Sequence, residues 1–463
     1  MLFPPLVAMA VLPSAVKPMP PISLHPDNPH YFLFRGKPTV LITSAEHYGA
    51  VLNQDFNYLR YLETLHADGL NYTRIFTGVY MEDPAAFNIR NNTLAPAPGR
   101  LLCPWARSST PGYAGGGNKF DLNTWDDAYF HRLKDFCTQA GRRGIVVEVS
   151  LFCPYYQDSM WEISPLKASN NIQGIGDVPR TEALTLKHPS LVAAQEAMVR
   201  KIVQELKDFD NVFYEICNEA YFGGVTLEWQ AHISQIIAET EAAFPHRHLI
   251  AQNIANGSAK IESPDPRVSI FNFHYAAPPD AVTVNYGLDK VIGFDETGFK
   301  GTGDTPYRME GWDFLLAGGG LYNNLDYSFT VGHEDGTFML PSTQPGGGSP
   351  TLRRQLKILK DFLNGFDFLR MRPENGVIKG GAPEGATVRC LAEAGRAYAL
   401  YLKGGNRATL TLELPAGHYC AEWVNPRTGA TEKTEDIPHS GGDLTLASPP
   451  YTEDTALRLI RTP

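Results

Sequence analysis

Short runs of β-branched and apolar residues recur along most of the chain, separated by stretches whose apolar positions repeat with helical spacing. The short runs predict strands at Thr39 to Ser44, Leu70 to Thr77, Gly144 to Phe152, Val212 to Asn218, His248 to Asn253, Val268 to His274, Lys290 to Asp295 and Gly319 to Asn324. Helical patterns follow at Asp55 to Ala67, Thr124 to Arg142, Pro189 to Phe209, Leu227 to Phe244, Pro306 to Leu316 and Leu352 to Phe366. Strand alternating with helix implies a parallel sheet. Eight such units predict an α/β fold, a (β/α)8 TIM barrel. An open doubly wound sheet would want a Gly-rich phosphate turn after its first strand, and none follows Ser44. Ala114-Gly-Gly-Gly117 lacks a helix start and reads as a flexible lid segment in a long loop.

Beyond Phe366 helical periodicity disappears. Val377 to Ile378, Thr387 to Leu391, Ala397 to Leu402, Ala408 to Leu412, Tyr419 to Val424 and Asp443 to Leu446 predict short strands between Gly, Pro and Asn turns, a small all-β sandwich. The expected organisation is an N-terminal segment over 1–30, a barrel over 31–372 and the sandwich over 373–463. Leu2 to Val16 is apolar like the core of a secretion signal, although no Lys or Arg precedes it. That leans the expected location toward secretion or the periplasm. No later run has the roughly 18 uninterrupted apolar residues of a membrane span.

Composition narrows the ligand. A formal net charge of -10 disfavours nucleic acid and anionic membrane, which reward clustered Lys and Arg. With 24 Phe, 21 Tyr and 6 Trp the chain is rich in rings on which apolar sugar faces stack, so a carbohydrate is the expected partner. The six cysteines show no C-x-x-C spacing, and neither a metal nor another cofactor is expected. Cys390 and Cys420 share the C-terminal region, where pairing or buried thiols are both open. Oligomeric state is not specified by any pattern in the chain.

Two carboxylates carry the chemistry. Glu219 ends Asn211-Val-Phe-Tyr-Glu-Ile-Cys-Asn-Glu219 and Glu296 ends Val291-Ile-Gly-Phe-Asp-Glu296, so each closes a buried strand at the mouth of the barrel. Regular alternation places Glu215 in the interior beneath Glu219 and turns Asp295 away from Glu296. A guanidinium at Arg74 needs a carboxylate, with Glu296 and Glu215 as candidates, and pairing with Glu296 would keep that group ionised. Glu148 is expected in an interior ion pair. Asn218 is placed to bond a sugar hydroxyl, and Glu46-His47-Tyr48 follows the first strand at the same mouth, where a substrate subsite and a plain polar loop are both open readings. The loops after the strands bring Trp105, Tyr113, Tyr155, Tyr156, Trp161 and His333 as ring surfaces, some of which will only pack their own loops.

Arg74 on the second strand, Asn218-Glu219 ending the fourth, His274-Tyr275 ending the sixth and Glu296 ending the seventh together resemble clan A glycoside hydrolases, especially family 5 and its relatives. The segment Glu422-Trp-Val-Asn-Pro-Arg-Thr-Gly429 is similar to the sandwich that follows the barrel in family 5-like and family 140-like bacterial glycosidases. The resemblance implies a retaining β-glycoside hydrolase acting on a β-linked oligo- or polysaccharide by double displacement. Glu219 would be the acid/base, Glu296 the nucleophile, and Tyr275 or His274 would hold Glu296 in place. The chain departs from the clan in having Ala220 where Pro usually follows Asn-Glu, and Tyr322-Asn323-Asn324 where many members carry a Trp. The competing readings are a non-catalytic carbohydrate-binding protein on the same barrel and a metal-dependent barrel hydrolase. The latter would show His-x-His after the first strand, which Thr43-Ser-Ala-Glu-His47 lacks.

Overall fold

The structure, a computed structural model, describes residues 19–462; the apolar stretch Leu2 to Val16 lies outside them. Its centre is a parallel barrel of eight strands, β1 (Leu41–Ala45), β2 (Tyr72–Phe76), β3 (Val146–Ser150), β4 (Val212–Glu215), β5 (Ile250–Asn256), β6 (Ile270–His274), β7 (Val291–Glu296) and β8 (Leu321–Leu325). Every strand overlaps a run expected from the sequence. They were legible because strands covered on both faces read as nearly unbroken apolar stretches.

Hydrogen-bonded ladders run from β2 through β8 and on to β1. The seam between β1 and β2 is joined by main-chain bonds from Asn71 to Ile42 at 3.4 Å and from Phe76 to Tyr48 at 3.0 Å, and by the Asn71 side chain, whose Oδ1 accepts from the Ile42 N–H at 2.9 Å and whose Nδ2 donates to the Val40 carbonyl at 2.9 Å. Buried main-chain groups that a slack register leaves apart thereby find partners.

The crossover helices begin where the chain supplies caps. Asp126 accepts from the Ala128 N–H ahead of Asp127–Arg142, and Ser349 accepts from the Leu352 N–H ahead of Pro350–Asn364, whose proline occupies the first turn. Asp127–Arg142 turns Phe130, Leu133, Phe136, Cys137 and Ala140 inward, one apolar stripe at helical spacing. Asp158–Glu162 and Asp280–Asn285 are helices of five and six residues, too short to give a periodic signal.

At the N-terminal end of the barrel, Ser23–Leu24, Phe32–Phe34 and Lys37–Thr39 form an antiparallel sheet. Ile22, Phe32 and Phe34 pack on the first inward residues of the strands, including Leu41, Tyr72, Phe213 and Val291, and stopper that end. The expected boundary at residue 30 is therefore corrected, because it would cut Ser23–Leu24 from the strand it pairs with. A second correction concerns Ala114 to Gly117. These residues are the tip of a β-hairpin whose arms are Trp105–Pro111 and Asn118–Trp125, with Gly116 and Gly117 at positive φ.

The sandwich has a six-stranded sheet, in the order Arg372–Pro373, Thr387–Glu393, Ala397–Lys403, Asp454–Thr462, Gly417–Val424 and Thr431–His439. It faces a three-stranded sheet of Ile378–Gly380, Thr409–Leu414 and Gly442–Ala447. Trp423 is buried in its core. Cys390 and Cys420 are unpaired, on strands two places removed from adjacency in the larger sheet. Three strand spacings of about 4.8 Å put them beyond disulfide reach. The sandwich grips the barrel helix Thr305–Leu316: Trp312 stacks on Tyr401 at 5.4 Å, Arg308 pairs with Asp454 at 2.9 Å, and Asp313 pairs with Arg389 at 2.8 Å and with Lys403 at 2.5 Å.

Candidate active site

The C-terminal ends of β4 and β7 bring Glu219 and Glu296 to one cavity of about 280 Å³ at the barrel mouth. A larger hollow of about 470 Å³ lies on the other side of the molecule, bounded by Lys37, Asn71 and Phe368, and holds none of these groups. An oxygen of Glu219, an oxygen of Glu296 and a ring nitrogen of His274 all lie within 4.8 Å of one another.

Glu296 accepts from Tyr48 at 2.7 Å and from Tyr275 at 2.9 Å, one hydroxyl on each oxygen. His274 Nδ1 is 3.3 Å from Glu296 Oε1, and Arg74 Nη1 is 3.6 Å from Oε2. Burial by itself would raise the Glu296 carboxyl. The His274 cation, then Arg74 and the Tyr48 hydroxyl, outweigh burial and hold it well below the ordinary carboxylate range. The same balance acts on His274, where burial opposes the charge but Glu296 and Asp295 raise the imidazolium well above its ordinary value.

Glu219 has different neighbours. Tyr156 donates to Oε2 at 2.5 Å, His274 Nδ1 stands 3.1 Å from Oε1, and the Tyr221 hydroxyl is 3.2 Å from Oε1 and 2.5 Å from Asn256 Oδ1. No guanidinium contacts it. Asn218 beside it accepts from Arg74 at 2.7 Å and donates to the Tyr156 hydroxyl at 3.1 Å, so its amide ties the two halves of the site together.

Arg74 is fully buried and serves several acids at once. It bonds Glu215, lies 3.4 Å from Asp295 and 3.7 Å from Glu148, and donates to the Tyr48 hydroxyl at 2.9 Å. Asp295 is therefore turned inward, contrary to the alternation expected of a regular strand. The pairing of β6 with β7 slips by one residue between Phe273 and His274, and this bulge brings Asp295 and Glu296 both to the interior. His274 Nε2 stands 3.3 Å from Asp295 as a result.

Two clusters have the spacing of cation ligands: Glu219, His274 and Glu296, and Glu148, Glu215 and Asp295. The Arg74 guanidinium already occupies the second. In the first, His274 faces both carboxylates through a nitrogen that, as imidazolium, offers a proton and no lone pair.

Of the remaining candidates, His47 lines the cavity and pairs with Glu82 at 3.1 Å. Glu46 does not line it. Its carboxylate is buried and accepts from the Gly49 and Ala50 N–H groups at 3.0 and 2.9 Å, which shapes the turn presenting Tyr48. Asn323 is likewise removed from substrate contact, donating to the Asp295 carbonyl at 2.9 Å within the barrel wall. Trp161 is buried with its Nε1 on the Val178 carbonyl, and Trp105 and Tyr113 are buried in their own hairpin region. Large rings in long loops were spent on packing those loops.

Tyr48 joins its neighbour His47 at the cavity as the sequence suggested, and residues the sequence did not single out complete the site: Glu82, Phe87, Tyr221, Phe222, Asn256 and Phe299. One signal appears only in the backbone. Ten non-glycine residues among those described have positive φ, and five of them line this cavity: Tyr48, Phe87, Glu219, Tyr275 and Phe299. Each such conformation costs of order 1–3 kcal/mol, and clustering of this kind marks functional sites.

No protein-family model matches the chain, and no curated protein matches its sequence. Solved structures do. A glycoside hydrolase family 5 structure from Bacteroides vulgatus ATCC 8482 superposes with a TM-score of 0.64 at 13% identity, over 95% of this chain and 94% of its own. Another structure, named glycoside hydrolase, gives a TM-score of 0.64 at 14% identity over 96% of this chain and 97% of its own. The fold is thus shared with solved structures named as glycoside hydrolases, over 95% and 96% of this chain.

Proposed function

We propose that the protein is a retaining β-glycoside hydrolase. The observation that carries the reading is the pair of carboxylates on β4 and β7, with oxygens within 4.8 Å, in a cavity sized for a small ligand. Retention needs carboxyl groups about 5–5.5 Å apart, whereas inversion leaves about 6.5–9.5 Å for a water. The shared fold of structures named as glycoside hydrolases supports the same class.

In this reading Glu296 attacks the anomeric carbon. Two tyrosine hydroxyls and two cations hold it ionised, and its lone pair forms the glycosyl-enzyme bond as the bond to the leaving oxygen breaks. Glu219 gives its proton to that oxygen, then takes one from the water that releases the sugar. His274 touches both carboxylates through one ring nitrogen and so couples their positions. The substrate is a β-linked carbohydrate of the neutral kind, a reading supported by a cavity lining that holds no Lys or Arg among the described residues. Export to the periplasm or outside the cell fits such a substrate and is part of the proposal.

The test is Glu296→Ala with an aryl β-glycoside. Turnover should fall by several orders of magnitude, and azide should restore part of it with formation of the α-glycosyl azide. A variant that keeps substantial activity removes Glu296 from the nucleophile role, and sugar binding without turnover by the unaltered protein favours a binding protein instead.

A further inference from the structure

Aromatic rings beside the two carboxylates touch in an unbroken circuit that passes through the fully buried His274. Starting at Phe222, the ring centres run to Tyr221 at 4.9 Å, from there to His274 at 6.4 Å, and on to Tyr275 at 6.0 Å. Tyr275 meets Phe299 at 6.3 Å, Phe299 meets Phe87 at 6.4 Å, Phe87 meets Tyr156 at 5.5 Å, and Tyr156 returns to Phe222 at 6.0 Å. These separations are those of rings in edge or face contact, with no room for a sugar between neighbours.

The circuit also follows the order of the barrel. Phe87 comes from the segment after β2, Tyr156 from that after β3, Tyr221 and Phe222 from that after β4, His274 and Tyr275 from the end of β6, and Phe299 from after β7. The final link, Phe299 to Phe87, passes over β8 and β1. Five of these rings, Phe87, Tyr156, Phe222, Tyr275 and Phe299, line the cavity as a collar beside the two carboxylates, while His274 is fully buried against both. Below the collar, Phe76, Leu94 and the His47–Glu82 pair close the wall.

An enzyme that cuts inside a polysaccharide needs a trough open at both ends, so that chain leaves the reacting bond in two directions. Here the two carboxylates share one cavity walled by touching rings. Its volume of about 280 Å³ is at or below the ~300–1,000 Å³ usual for small-molecule sites, which leaves space for a terminal unit and not for a run of sugars. Phe222 and Phe299, each 43% exposed, stand at the rim, where the remainder of the substrate would lie against them.

We infer that the site is exo-acting: it admits one non-reducing terminal glycosyl unit through the aromatic collar and releases it from the chain end. The inference rests on the glycosidase reading above and adds the mode of attack. The unit's anomeric carbon bonds to Glu296 as the aglycone, pointing out of the mouth, departs with the Glu219 proton, and water activated by Glu219 then releases the unit.

The experiment has two stages. Unaltered protein is first screened against 4-nitrophenyl β-glycosides of glucose, galactose, mannose and xylose, with Glu296→Ala as control. It is then given the matching β-linked tetrasaccharide carrying a fluorophore at the reducing end, uncapped or with the terminal hydroxyls of the non-reducing sugar blocked as a benzylidene acetal; xylose, which lacks the 6-hydroxyl, is blocked instead by a 4-O-methyl group. The expected first products are free monosaccharide and labelled trisaccharide, with at least a hundred-fold slower cleavage of the capped substrate. Labelled mono- or disaccharide as the first product, or equal rates on both substrates, overturns exo action while leaving the glycosidase reading intact. Failure to cleave any aryl glycoside or oligosaccharide, or cleavage unaffected by Glu296→Ala, overturns both.

Discussion

Replacing Arg74 by Met separates the two tasks this side chain performs. The guanidinium is the shared cation of Glu148, Glu215, Asp295 and Glu296, and it is fully buried. Removing one partner of a buried ion pair typically costs about 3–5 kcal/mol. Protonation of a stranded acid limits the damage, so a loss near the lower figure is expected. The variant also loses the bonds from Arg74 to Tyr48 at 2.9 Å and Asn218 at 2.7 Å, which orient the groups beside the two carboxylates. At about 1.5 kcal/mol for each hydrogen bond to a charged group, kcat should fall roughly ten- to a hundred-fold. KM should change little, because Arg74 does not line the cavity.

The pH profile distinguishes orientation from scaffolding. Arg74 is one of the groups that depress Glu296, so its loss must raise that carboxyl. A nucleophile whose pKa is raised becomes protonated at higher pH, and the acidic limb of kcat/KM moves upward. A 2,4-dinitrophenyl β-glycoside is the suitable substrate, since its leaving group needs no proton and the limb then reports the nucleophile. Arg74→Lys, which keeps the charge, should leave the limb near its original place. If the Met variant loses stability but its acidic limb stays fixed, Arg74 is only a strut of the barrel interior. If KM rises while kcat holds, it is a substrate contact.

Tyr156→Phe removes the 2.5 Å bond to Glu219 and should slow substrates with poor leaving groups about ten-fold while sparing the dinitrophenyl glycoside; equal slowing of both would detach Tyr156 from proton transfer. His274 has a raised native pKa, so its charge stabilises the fold fully below the unfolded value of about 6.5, and that contribution is lost as pH rises through the native value. The stability gap between the unaltered protein and His274→Gln, followed by urea unfolding, should therefore narrow toward alkaline pH, and a gap that widens would refute the assigned charge. Ending the chain before Arg372 uncovers Trp312 and strands Arg308 and Asp313, so the isolated barrel should be insoluble or lose several kcal/mol; a barrel that folds as well alone would show the sandwich to be a separate module.

The eight strands could be read from the chain because burial on both faces gives them one unambiguous apolar signature, and Glu219 and Glu296 stood out as charges ending such runs. Asp295 was misread for a definite reason: a one-residue slip in pairing is invisible in a sequence, yet it reverses which side a residue faces. Phe87 and Phe299 escaped notice because their placement depends on left-handed backbone, a property that nothing in a bulky aromatic announces. Trp161 and Glu46 failed as ligand contacts on the opposite ground, that a loop must first satisfy its own rings and amides.

The stopper sheet at the foot of the barrel fixes the polarity of the molecule. Ile22 packs among the first residues of the strands, while Glu219 and Glu296 leave from the last, a strand length of roughly 17 Å away along the axis. A tether joined just ahead of this sheet departs from the pole opposite the mouth. Fixed to a bead, an electrode or a cell envelope by that end, the molecule would hold its opening toward the surrounding fluid, so attachment there leaves the approach of dissolved glycans unobstructed.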